Sequence, residues 1–267
     1  MKAKRRPANA AMLLAGVLMV AACGNQPGKK IQLATEQTGE NVVKYPIPTA
    51  YEVMNLINRS GAAYIIEITN PTGKVESYLT ESDKALNLGI YSADLAYVTT
   101  YNMKQETMDY LKALKKLSDE LHVSANYNVD LAYNVERNIE NKDTLISIIT
   151  RSFDETYSFL QNNGKDNISV QVLTGMWVEG LYVATYVTTT SSNPGDLLQI
   201  VANQKQSLET LKGIIEKNSD SPEIAALLTL LAPIISEYSS VDKTIDIPKA
   251  QQIHSVAEEI RNKVIGE

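Results

Sequence analysis

Apolar residues recur along this chain at three- and four-residue steps, the spacing that gathers them on one face of an α-helix. Residues 104–121 place Met108, Leu111, Leu114, Leu117 and Leu121 in such a stripe, with Lys104, Lys112, Lys115 and Lys116 mainly outside it. Segments 127–140 (Leu131, Val135, Ile139) and 143–162 (Leu145, Ile149, Phe153, Tyr157, Leu160) repeat the pattern, and Asn162-Asn163-Gly164 supplies a stop. Three further helices are expected over 196–217, 222–239 and 249–264, the middle one kinked by Pro233. Upstream, Thr80-Glu81-Ser82-Asp83 reads as a capping box with Asp in place of the usual Glu, opening a helix to about Tyr101. Thr49 is expected to cap a first short helix ending near Ser60-Gly61. Between them, Ala63-Tyr64-Ile65-Ile66-Glu67-Ile68 is short and β-branched enough for a strand but lacks a partner, so residues 62–78 are assigned a short helix.

Ile168 to Thr190 carries Glu179 as its single charge and is nearly long enough to span a membrane. The glutamate, Gln171, several threonines and two glycines make insertion costly, which favours a central buried helix. The expected fold is therefore all-α: an antiparallel bundle or helical-hairpin array of about eight main helices in one domain, 47–267. The run Gly89-Ile90-Tyr91-Ser92-Ala93-Asp94-Leu95-Ala96-Tyr97 is echoed by Gly180-Leu181-Tyr182-Val183-Ala184-Thr185-Tyr186 with a two-residue gap. Either the halves 80–162 and 168–265 are related, or Tyr, Thr and Ala recur by chance on buried helices.

The N-terminus follows a different pattern. Lys2, Lys4, Arg5 and Arg6 precede an apolar run from Ala10 to Ala22, about 13 residues, too short for ~30 Å of hydrocarbon. A basic start, a short apolar run and small residues form a secretory signal. Val20-Ala21-Ala22-Cys23 resembles the lipobox of bacterial lipoproteins. The resemblance implies acylation of Cys23 with palmitate-class chains and cleavage that makes Cys23 the first mature residue. Burial at about 0.8 kcal/mol per methylene makes several chains a stable anchor. The acid-free followers Gly24-Asn25-Gln26-Pro27-Gly28 imply the outer membrane, facing the periplasm. Residues 23–46 would form a lipidated tether spanning roughly 25 Å.

Removal of residues 1–22 takes four basic and no acidic residues, leaving 21 Lys+Arg against 31 Asp+Glu, net −10. Such a body repels nucleic-acid phosphates. With Cys23 acylated no thiol remains for disulfide, metal or nucleophile. No phosphate loop, GxGxxG or GxSxG motif is present, and His122 and His254 are too few and too far apart for a helical metal site. No cofactor beyond the covalent lipid is expected.

Acids within apolar helices are the remaining candidates. Asp94 lies among Tyr91 and Tyr97, and Glu179 between Trp177 and Tyr182. A buried carboxylate needs a donor or a cation, or else takes a proton. Arg137 and Arg151 are the candidate cations, and the tyrosines candidate donors. One reading is a ligand pocket near Trp177 and Glu179, another a polar network that sets helix register, and a third an acid–base pair. The segments around Ala85–Tyr97 and Trp177–Tyr182 resemble those of uncharacterised all-helical lipoproteins of Bacteroidota, which implies no activity or catalytic residue. The functional expectation is a non-enzymatic envelope module that binds a protein or peptide, with a small-ligand binder as the alternative.

Overall fold

The computed structural model describes residues 47–123 and 129–267; the signal, Cys23 and tether assignments lie outside them. Nine α-helices are found among the described residues: α1 (Ala50–Arg59), α2 (Glu81–Thr100), α3 (Lys104–Glu120), α4 (Val129–Arg137), α5 (Lys142–Asn162), α6 (Asp166–Thr190), α7 (Gly195–Lys217), α8 (Pro222–Ser239) and α9 (Ile247–Ile265). No β-strand occurs among those residues. The protein is an all-α helical array in which every consecutive pair of helices packs together.

Helix starts follow local chemistry. Thr49 accepts from the Glu52 amide while Glu52 accepts from the Thr49 amide, and Thr80 and Asp83 reciprocate in the same way. Asn141, Ser221 and Asp246 cap α5, α8 and α9, the last two with proline in the first turn. After α2 and α3 the chain turns through left-handed Asn102 (φ 61°) and His122 (φ 55°). The next amides, Met103 and Val123, return to the Val98 and Ser118 carbonyls at 2.9 Å. Helix α8 runs continuously through Pro233.

Two helices form the centre. In α2 every residue from Ala85 to Thr100 is buried, and α6 is buried along most of Ile168–Thr188. Small and apolar residues dominate every side of these runs, as a buried helix requires, with Asp94 and Glu179 as the charged exceptions. Their hydroxyls are spent internally: Ser92, Thr174, Thr185 and Thr188 each donate to the carbonyl four residues earlier. No helix among the described residues is long and apolar enough to cross a membrane.

Helix α2 packs most extensively on α6, and close approach explains two glycines. A Cβ on Gly89 would sit 2.1 Å from the Val172 carbonyl oxygen, and one on Gly175 2.0 Å from that of Leu86. Gly180, the partner of Gly89 in the sequence echo, has no such neighbour. Around this pair stand α1, α3, α5, α7 and α9, with α8 against α6, α7 and α9 and α4 against α3 and α5.

Residues 62–78 do not form the expected α-helix. They hold two short 3-10 turns, Ile66–Ile68 and Thr72–Ser77, joined by extended backbone, with the second turn against α3. The isoleucines there include no sustained helical stripe, and Pro71 and Gly73 interrupt it.

Candidate functional site

The irregular segment 62–78 has backbone groups that no helix satisfies, and buried backbone groups require partners. Side chains from three helices provide them. From α2, Tyr91 donates to the Pro71 carbonyl at 2.9 Å, and Tyr97 accepts from the Ile65 amide at 2.9 Å. Tyr101, just past α2, donates to the Ala62 carbonyl at 2.9 Å. Tyr110 of α3 donates to the Asn70 carbonyl at 2.8 Å, and Arg261 of α9 to the Ile68 carbonyl at 3.3 Å. Asp94 Oδ2 accepts from the Asn70 amide at 3.1 Å. The Asn70 side chain donates to the Tyr78 hydroxyl at 2.9 Å. The segment is thus strapped to the bundle by an external set of hydrogen bonds.

The tyrosine abundance of the sequence finds its use here. Tyr64 stacks on Tyr97 with centroids 5.2 Å apart, and Tyr101 meets both rings at 5.5 and 5.0 Å. Tyr91 meets Tyr78 at 6.1 Å and Tyr110 at 5.8 Å. The rings of Tyr91, Tyr97, Tyr101 and Tyr110 pack their apolar bodies while their hydroxyls reach the strap. Burial raises these phenols above their ordinary pKa, Tyr64 to about 12, so all remain neutral at physiological pH.

Beneath the strap lies an ionic centre. Arg261 Nε donates to Glu179 Oε2 at 2.7 Å across 82 residues of chain, and its guanidinium lies 4.3 Å over the Tyr182 ring. Asp94 and Glu179 are both 0% exposed and Arg261 is 6% exposed. Burial holds the Asp94 carboxyl well above the usual carboxylate range, and the neighbouring Glu179 charge adds to that rise. Arg261 and the Asn70 amide oppose it. Tyr182 also stacks on His254, whose centroid is 5.5 Å away, and His254 Nδ1 lies 3.2 Å from the Thr185 hydroxyl. Burial lowers the His254 pKa, with Glu258 opposing.

Of the residues singled out by sequence, Asp94, Glu179, Tyr91, Tyr97 and Tyr182 come together, joined by Tyr110, Asn70 and Arg261. Arg137 does not. It is exposed on α4, donating at 2.7 Å to Tyr133 one turn earlier on its own helix. Arg151 is likewise exposed, 3.7 Å from Glu155. The cation comes instead from α9, because α4 packs at the periphery whereas α9 lies along α6. A signal for Arg261 does exist: it follows Ile253 and Ala257 at four-residue steps, in the stripe that also holds Ile260 and Val264.

Trp177 is 4% exposed, and its indole nitrogen lacks a partner. Neither it nor the two acids line the two principal concavities. One, about 20 Å³, lies between α2, α5 and α6 against Leu88, Ser92, Phe153 and Met176, with room for about one water. The other is an open polar groove of about 510 Å³ along α7, against Gln199, Lys205 and Asp242. Among the described residues no group of three or more His, Cys, Asp or Glu side chains could hold a metal ion. The chain matches no family model, no curated protein and no solved structure.

Proposed function

We propose that this chain is a lipid-anchored protein of the bacterial envelope, tethered through Cys23 to the outer membrane and facing the periplasm. Its helical body acts as a non-enzymatic binding or assembly module for an envelope protein or peptide. The supporting observation is the strap. It carries Ile66 at 72% and Leu79, immediately after it, at 78% exposure, on backbone pinned from below by tyrosine, aspartate and arginine side chains. Large apolar side chains held outward on a pinned segment lose little entropy on docking, which favours partner binding. The acids beneath are sealed from solvent, Asp94 bonded to the strap and Glu179 to Arg261, which favours a structural over a catalytic role.

Two measurements test the reading. Cys23→Ala is expected to shift the protein from the membrane to the soluble fraction; retention in the membrane overturns the anchor. A photo-crosslinking residue at Glu67 is expected to yield a discrete protein adduct in cells that a crosslinker at exposed Gln251 does not, and Ile66→Asp is expected to abolish it. Equal labelling from both positions, or an adduct indifferent to Ile66→Asp, counts against the binding role.

A further inference from the structure

Two carboxyls and one guanidinium are buried together under the strap. Were Asp94 and Glu179 both ionised, Arg261 would neutralise one and leave a net negative charge in the core, where an unpaired charge is very costly. The oxygen inventory points the same way. Asp94 Oδ2 accepts from the Asn70 amide and Glu179 Oε2 from Arg261, while Asp94 Oδ1 and Glu179 Oε1 are buried with no donor. Yet the two carboxyl groups lie within hydrogen-bonding reach of each other. A single proton shared between the two carboxyl groups removes the excess charge and supplies the donor that the pair lacks.

We propose that Asp94 stands as a neutral carboxylic acid donating to Glu179, a one-proton lock that keeps the strap on α2 and opens when the proton is lost. The proton resides on Asp94 because Glu179 has the guanidinium in direct contact at 2.7 Å, whereas Asp94 accepts from the neutral Asn70 amide and the pull of Arg261 on it is outweighed by burial and the Glu179 charge. The other titratable groups around Asp94 are Arg261 of α9, which stays cationic, and Tyr64 and Tyr78 of the strap, Tyr91 of α2 and Tyr110 of α3, the tyrosines held neutral by burial. Tyr182 of α6 is raised by burial as well, with Glu258 of α9 acting on it from farther out. Asp94 is the group left to titrate.

A carboxyl whose folded pKa lies above its ordinary 3.8 keeps a proton that the opened state has already lost. Its contribution is complete below the ordinary value and disappears as pH rises through the folded value. In that window each pH unit multiplies the opening equilibrium of the strap tenfold.

The test uses the full chain labelled with 13C at aspartate carboxyls. Its infrared spectrum at neutral pH is expected to show a protonated-carboxyl band shifted by the label, and Asp94→Asn is expected to lack that band. Amide exchange at Ile65 and Asn70, corrected for the intrinsic pH dependence, is expected to lose protection tenfold per pH unit as pH rises above 3.8 toward the folded value. In Asp94→Asn, whose amide donates to Glu179 without a proton to lose, protection is expected to stay level. An absent label-shifted band means that Asp94 is ionised and overturns the lock, and so does wild-type protection that does not change with pH. If Asp94→Asn fails to fold, the labelled wild-type spectrum and exchange profile decide alone.

Discussion

The strap at 62–78 and helix α8 both flank the buried centre, and they are held by opposite means. Helix α8 meets most of its backbone groups internally, the missing N–H of Pro233 aside, and buries Ile224, Leu227, Leu231, Ile234 and Tyr238 against α6, α7 and α9. The strap has only two short turns of its own, and its amides and carbonyls are met by Tyr91, Asp94, Tyr97, Tyr101, Tyr110 and Arg261. One region depends on apolar area, the other on directed hydrogen bonds in a low-dielectric setting. The difference explains where the chemistry of the sequence gathers. Helix backbones need no outside polar partners, so Tyr91, Asp94, Tyr97, Tyr110 and Arg261 direct their polar atoms at the segment that is not helical.

Substitutions can break this comparison in order of expected effect. Arg261→Ala, which leaves the Glu179 carboxylate buried without its cation, is expected to cost about 3–5 kcal/mol in urea unfolding. Leu231→Ala in α8, fully buried in the wild type, is expected to cost about 3 kcal/mol through lost burial and a cavity, with strap exchange protection unchanged. If Leu231→Ala loosened the strap as much as Arg261→Ala, the two regions would not be separately held. Tyr110→Phe removes the donor to the Asn70 carbonyl and is expected to cost about 1–2 kcal/mol, with exchange rising at residues 62–78 before α8. Thr80→Ala, which removes the cap of α2, is expected to cost about 1 kcal/mol, detectable as a small shift in the unfolding midpoint with both regions affected alike.

Much of the helical framework is legible in the residues. The capping threonines at 49 and 80, the leucine stripe of α3 and the near-chargeless run of α6 each specify an element through neighbours within a few positions. The strap is not legible in this way, because its hydrogen-bond partners lie up to 193 residues away. Asp94 and Glu179 stand out as acids in apolar helices, but nothing local says that they meet. The choice of cation shows the same limit. Arg137 and Arg261 are both helical arginines, and only the packing of α9 along α6 brings one of them to Glu179.

What the sequence determined alone is short-range: where helices begin and end, which faces are apolar, and that Cys23 closes a signal-like run. Periodicity and capping act over one or two turns, so they survive without knowledge of the fold. The tertiary structure decided the rest. Glycines 89 and 175 let α2 and α6 approach closely, and two acids, one arginine and a set of tyrosines then close over a segment that has no regular structure of its own. Those contacts join residues distant in the chain through burial and electrostatics, whose strength depends on water being excluded, and that exclusion exists only once the helices have packed.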